Sequence, residues 1–224
     1  MKQKQEIRAI LFDLDGTLVN TITDILAAIN AALEVLSIAP IDLKTAKAVV
    51  GHGLTKALRS AARTQGRELS DEEITMLLPV LKTYYTQNPY RYASLYPGVR
   101  EFVDECAARG YSMGVLSNKD HSLTLPIVNR MFPDEPFTYI RGAGEEFPLK
   151  PDPASTHEFI AQHQLIPQEV LFIGDTEVDA LTAKNSGTRS ALVSWGFRDR
   201  MELVATGLST VYDDFSHLAK EELA

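Results

Sequence analysis

Ala9-Ile10-Leu11-Phe12-Asp13-Leu14-Asp15-Gly16-Thr17 is the stretch whose reading decides the fold. Its four leading apolar residues read as a buried strand. The strand ends by delivering two carboxylates two residues apart, on the same side of an extended chain. Like charges that close repel each other unless a proton or a cation intervenes. Hard oxygen ligands of this kind suit magnesium. The stretch has a plainer alternative, because Asp15-Gly16 ahead of Thr17-Leu18-Val19 is also a hairpin signal. The rest of the chain weighs against the hairpin.

Five apolar segments read as buried strands: Ile7 to Phe12, Tyr111 to Leu116, Thr138 to Ile140, Val170 to Ile173 and Ser190 to Val193. Most are separated by helix-length stretches, the pattern of an α/β fold with a Rossmann-like parallel sheet and helices on both faces. Pro97-Gly98 opens a helix bearing Val99, Phe102, Val103 and Cys106, and Gly110 stops it. Asp152-Pro153 starts another. From about Val19 to Tyr92 no strand is expected. Thr21 and Asp24 have capping-box spacing, Ile25, Ile29, Leu33 and Leu36 recur at helical intervals, and Ala48 to Arg63 and Asp71 to Tyr85 also read as helical. An all-helical unit at 19–92 is thus expected within a core formed by 1–18 and 93–224.

The chain of 224 residues is 45% hydrophobic and 23% charged, enough to bury a sizeable core. Its formal net charge of −8 argues against nucleic acid or an anionic membrane as partner. Cys106 is the single cysteine, so an internal disulfide is impossible; its apolar helical neighbours make it a core thiol. The N-terminal apolar run, cut short by Asp13, is too brief for a signal peptide or a membrane span, which gives a cytoplasmic expectation. Monomer and homodimer both remain open.

Ligands of open parallel sheets bind beyond the carboxyl ends of the strands. Those ends carry Asp13 and Asp15, then Ser117-Asn118, then Gly174-Asp175, with Lys150-Pro151 leading back toward the fourth strand. Each has an ordinary explanation alone. Asp175 would cap a helix, Asp179 would be a solvated carboxylate on the same face, Ser117-Asn118 would be a turn and Lys150 a surface lysine. Together they suit phosphoryl transfer, which depends on positioning and on stabilising charge at the equatorial oxygens. Magnesium between Asp13 and Asp175 would neutralise one side of the transferring group, Lys150 would add a fixed charge, and Ser117 and Asn118 would donate hydrogen bonds. Asp13 is able to form an aspartyl-phosphate, and Asp15 to protonate the leaving alcohol and then activate water.

With these residues in place the sequence resembles the haloacid dehalogenase superfamily, on its phosphatase branch. Asp13 to Thr17 match the first motif, Ser117 the second, Lys150-Pro151 the lysine motif, and Gly174-Asp175-Thr176 with Asp179 the final acidic motif. The resemblance runs from about Ile7 to Leu218. It implies that Asp13 is the nucleophile and Asp15 the acid/base. It also implies that magnesium is held by Asp13, the backbone carbonyl of Asp15 and Asp175, with Asp179 supporting, and that Ser117, Asn118 and Lys150 bind the phosphoryl group of a small phosphate ester. The inserted helices resemble the family's helical cap.

Val50-Gly51-His52-Gly53, Leu95-Tyr96-Pro97-Gly98-Val99 and Ser117-Asn118-Lys119 look most like phosphoglycolate phosphatases. Asn20, where those enzymes usually have Asp, and the acidic run Glu145-Glu146-Phe147-Pro148 depart from them. Ile25 stands where related sugar phosphomutases carry His, which lowers the mutase alternative; a non-catalytic scaffold is the other alternative. Gly51, His52 and Gly53 form either a substrate-specificity loop or a loop that needs glycine torsions. Lys56, Arg59 and Arg63 either meet an anionic substrate or cover a solvated helix face.

Overall fold

The computed structural model describes residues 6–144 and 148–223, so Glu145, Glu146 and Phe147 of the acidic run lie outside the described residues. The chain enters through β1 (Ala9–Phe12) and a two-residue strand β2 (Val19–Asn20). It continues through helices α1 (Ile22–Glu34), α2 (Leu43–Val49), α3 (Leu54–Thr64) and α4 (Asp71–Gln87) and returns by β3 (Ser94–Leu95). Next come α5 (Val99–Ala108), β4 (Ser112–Asp120), α6 (His121–Met131), β5 (Tyr139–Ala143) and α7 (Ala154–Gln162). The chain ends through β6 (Val170–Gly174), α8 (Glu177–Ser186), β7 (Arg189–Val193), α9 (Arg200–Ala205), β8 (Thr210–Tyr212) and α10 (Phe215–Glu222).

Six strands form one parallel sheet in the order β5-β4-β1-β6-β7-β8. Since β1 pairs in parallel with both β4 and β6, the hairpin alternative is excluded. Alternate residues serve opposite faces. Ile10, Phe12, Leu171 and Ile173 join one core with Val99 and Phe102 of α5, Ile127 of α6 and Leu218 of α10. Ala9, Leu11, Val170 and Phe172 join another with Phe159 of α7 and Ala183 of α8. Connections leave β1 toward β4 and leave β6 toward β7, so the strand order reverses at the β1–β6 pair. Ligand crevices form at such a switch point, beyond the carboxyl ends.

Four sequence expectations need correction. The sheet has a sixth strand, β8, too short for alternation to reveal. The stretch expected to lack strands begins with β2, which pairs antiparallel with β3 where the two chain crossings lie side by side. The helix expected over Ala48 to Arg63 is broken, because Gly51 and Gly53 take φ of +113° and +87°, outside helical space. Thr21 also makes no side-chain cap on α1. Its hydroxyl instead donates to Asp15 Oδ1 at 2.5 Å, and the Asp24 carboxylate accepts from the Tyr92 N–H.

The four helices over 22–87 bury apolar stripes against one another: Ile25, Ala28 and Leu33 of α1, Leu58 and Ala61 of α3, Leu77 and Leu81 of α4. Ser70 and Glu73 form the reciprocal capping box that starts α4. Arg59 is held by Leu69 O and Asp71, and Arg63 by Glu68, so neither faces the sheet's ligand crevice. Cys106 is buried and burial pushes its thiol up to about 12, the behaviour of a core residue.

Candidate active site

Asp13 continues β1 by donating its N–H to Ile173 O at 2.9 Å, which fixes its side chain at the carboxyl end of the sheet. The backbone then turns sharply, with Gly16 at φ +94° bonding its N–H to Val19 O. A Cβ on Gly16 would collide with the Asp175 carboxylate, so only glycine lets the two acidic loops approach this closely. Gly174 and Gly196 are constrained likewise, by Asp179 and Asp175.

One ligand oxygen each from Asp13, Asp175 and Asp179 lies within 4.8 Å of the others, and all three residues are buried. Lys150, 6% exposed, bonds Asp13 Oδ1 and Asp179 Oδ1 at 2.7 Å each. The remaining Asp179 oxygen accepts from the N–H and hydroxyl of Thr176, completing the capping box of α8. Helix capping there falls to Thr176 and Asp179, not to Asp175. Asp175 accepts from Thr17 Oγ1 at 3.2 Å and from the Phe197 N–H at 2.7 Å.

Burial pushes the Asp13 carboxyl up to about 7 against the pull of Lys150, with Asp179 and Asp15 adding to the rise. Asp175 is raised well above the carboxylate range by burial first and by Asp13 and Asp179 next. Burial works against the Lys150 ammonium, but Asp13 and Asp179 outweigh it and hold its pKa above the ordinary lysine value. Carboxylates so crowded favour a cation among them, and all-oxygen donors fit a hard divalent metal. Both oxygens of Asp175 and of Asp179 accept from protein donors, whereas Asp13 has only Oδ1 engaged, so Asp13 is the best placed of the three to hold it.

Asp15 lies apart from this trio. Lys119 Nζ bonds both of its oxygens at 2.8 Å, and Thr21 bonds one of them. Ser117 and Asn118 fall inside β4, whose pairing with β5 shifts register between Leu116 and Asp120. The Ser117 hydroxyl accepts from the Lys119 N–H at 3.2 Å. The Asn118 amide brackets the Lys150 backbone, accepting from its N–H at 2.7 Å and donating to its carbonyl at 3.1 Å; it also donates to Gly51 O at 3.0 Å. Asn118 is therefore spent on placing Lys150 and the 50–53 loop. His52 stands 3.7 Å from Glu177 and Gly53 immediately precedes α3 as its N-terminal capping position.

A cavity of about 50 Å³ is lined from the sheet side by Asp13, Asp15, Ser117, Asn118, Lys119, Lys150, Thr176 and Phe197, and from the helical side by Ile25, Val50, Gly51, Gly53, Leu54 and Ala57. Asp175 and Asp179 do not line it but adjoin Asp13, which does. Sequence reasoning named Lys119 only within the Ser117-Asn118-Lys119 segment, without a role, and missed the Gly196–Arg198 loop. Lys119 is the next residue after the second motif, and the loop follows β7 at the same sheet edge, so the strand-end rule extended to β7 would have found it. Among the described residues no helix is long and apolar enough to cross a membrane.

The model of a family described as haloacid dehalogenase-like hydrolase matches residues 10–193. A phosphoglycolate phosphatase of Rhodospirillum rubrum is 31% identical, covering 94% of this chain and 89% of its own length. Another, of Pasteurella multocida, is 30% identical over 95% of this chain and 97% of its own. A crystal structure of a predicted phosphoglycolate phosphatase from Haemophilus somnus 129pt superposes with a TM-score of 0.87 at 27% identity, covering 98% of this chain and 99% of that one. The chain belongs to the haloacid dehalogenase-like hydrolase family, among its phosphoric monoester hydrolases.

Proposed function

We propose that this enzyme is a magnesium-dependent phosphatase that hydrolyses a small phosphorylated metabolite, phosphoglycolate or an ester like it, through an aspartyl-phosphate on Asp13. The observation that carries the reading is the buried set in which Lys150 bonds Asp13 and Asp179 at 2.7 Å while Asp175 completes the acid cluster. Asp13, Asp175 and the Asp15 backbone carbonyl would hold magnesium, which when bound would neutralise charge on the transferring group.

Lys150 fixes the Asp13 carboxylate facing the cavity, and an Asp13 oxygen attacks phosphorus as the bond to the leaving oxygen breaks. Asp15 gives that oxygen its proton. Water then attacks the phosphorus of the aspartyl-phosphate, Asp15 takes the proton, and the bond to Asp13 breaks, restoring the carboxylate. Ser117 and Lys150 bind the phosphoryl oxygens. Asn118 does so less directly, through its hold on Lys150.

Residues 19–92 act as a cap domain over a core of 1–18 and 93–224, excluding bulk water when closed. Ile25, Val50, Leu54 and Ala57 in the cavity wall support this, as does the Asn118–Gly51 bond. Gly51, His52 and Gly53 would then form the specificity loop. Ile25 offers no proton-transfer group where a mutase would need one, which supports hydrolysis over transfer to a second hydroxyl. The acidic net charge supports a free metabolite over nucleic acid or an anionic membrane as partner, and the single cysteine fits a reducing cytoplasm; monomer and homodimer both stay open.

The reading is tested by phosphate release from a panel of small esters, phosphoglycolate included, with magnesium and after chelation. Selective release that chelation abolishes is expected. Release indifferent to chelation, or from none of the esters, would contradict it.

A further inference from the structure

The helical side of the cavity presents Ile25, Val50, Leu54 and Ala57, none of which carries a polar side-chain group. Only two ammonium groups line the cavity among the described residues. Lys150 is committed to Asp13 and Asp179, on the phosphoryl side. Lys119 instead grips Asp15, which stands apart from the acid cluster. Its side chain is 2% exposed, and its ammonium rests 4.5 Å from the ring centroid of Tyr85, a buried residue of α4. Its two bonds to Asp15 use two of its three N–H donors, and no third acceptor bonds it among the described residues.

Asp15 is the group that, under the proposed reading, protonates the leaving oxygen. Proton transfer requires that oxygen to lie within about 3 Å of the carboxylate. The carboxylate is itself gripped by Lys119, so a substituent on the carbon next to the leaving oxygen comes within reach of the same ammonium. A cation stripped of water beneath an aromatic face attracts an anion far more strongly than one in solution. Hydroxyl groups of a larger sugar would instead meet the apolar wall without partners, an unfavourable burial.

We propose that Lys119 is the specificity-determining residue for the leaving group: its ammonium pairs with a carboxylate on the leaving alcohol, so the enzyme selects small phosphoric esters of hydroxy acids over neutral esters of the same size. This rests on the phosphatase reading and adds to it a residue that recognises the leaving group.

The test compares kcat/KM for phosphoglycolate and for ethyl phosphate, which has the same two-carbon skeleton without the carboxylate, in magnesium-loaded enzyme. The unmodified enzyme is expected to prefer phosphoglycolate by about tenfold or more, the discrimination a desolvated ion pair supports. Lys119→Met is expected to lower both values, because it also frees Asp15, but to lower phosphoglycolate about tenfold further, so that the preference collapses. Equal losses on the two esters would overturn the proposal and reduce Lys119 to a residue that holds Asp15. No preference in the unmodified enzyme would overturn it too, and needs no variant that folds. Release from neither ester, nor from any other monoester, would bring down the phosphatase reading itself, an outcome distinct from the other two.

Discussion

At the scale of the residue, the site is shaped as much by glycine as by acid. Asp13, Asp15 and Asp175 were legible because each follows a strand's apolar run, Ser117 because it closes the apolar run of β4, and Lys150 because it lies on the return to a strand; hydrophobic runs announce strands. The partners of these residues were not legible. Phe197 reaches Asp175 by a backbone N–H, which any residue possesses, and Asn118 turned out to hold Lys150 by its backbone. Gly16 shows how tight the arrangement is. Its φ of +94° is costly for any residue with a Cβ, and that atom would strike Asp175. Gly16→Ala is therefore expected to lower kcat by about a hundredfold or more by displacing Asp175, the scale of loss when site geometry shifts by an ångström. Magnesium titration of activity should show half-saturation at a higher magnesium concentration in the same variant. An alanine enzyme with unchanged kcat and unchanged magnesium requirement would show that the close approach is incidental.

At the scale of the element, the informative break is that between α2 and α3. A helical pattern over Ala48 to Arg63 concealed two helices, because Ala46, Val50, Leu54, Ala57, Leu58 and Ala61 keep one helical spacing across Gly51 and Gly53. The break lets Val50 and Gly51 bend onto the sheet edge. There Arg198 donates to Lys47 O at 2.7 Å and Val50 O at 3.2 Å and pairs with Glu177, while Lys47 Nζ donates to Gly196 O. The loop after β7 thus grips the end of α2 from one side and the Asp175 carboxylate from the other. Short strands hide similarly: β2, β3 and β8 have two or three residues each, below the length at which alternation is visible. Arg198→Met removes the grip on α2 without touching the acids. It is expected to raise KM about fivefold or more with a smaller change in kcat, as lost closure of a cap would. A loss confined to kcat would place Arg198 in the chemistry instead.

At the scale of the whole molecule, a parallel sheet collects charge that its core would otherwise reject. Among the described residues, Asp13, Asp15, Asp175 and Asp179 form ion pairs only with Lys119 and Lys150, so these six groups, fully ionised, carry two surplus negative charges for a divalent cation to neutralise. Without metal this costs stability. Asp13 is raised from 3.8 to about 7 in the folded protein, so the folded state binds its proton more tightly than the unfolded one. Its contribution is fully present below about pH 4 and is lost as pH rises through about 7. Replacing it by Asn removes that loss. Metal-free Asp13→Asn is expected to melt about 3 °C or more above the unmodified protein at pH 8, with the difference vanishing near pH 4. Magnesium should reverse the order by stabilising only the unmodified site. Thermal unfolding with and without chelator reads both effects, and a variant less stable than its parent in chelator at pH 8 would show that Lys150 needs Asp13 more than the site is relieved by its loss.

The central claim is that Asp13 is the nucleophile, and it is met most directly by phosphate release from Asp13→Asn at saturating magnesium, on the ester the unmodified enzyme hydrolyses best. The amide keeps the shape and loses the attacking oxygen anion, so turnover is expected to fall at least about a thousandfold. Turnover within about tenfold of the unmodified enzyme would contradict the account, because the aspartyl-phosphate on which it rests could not then form.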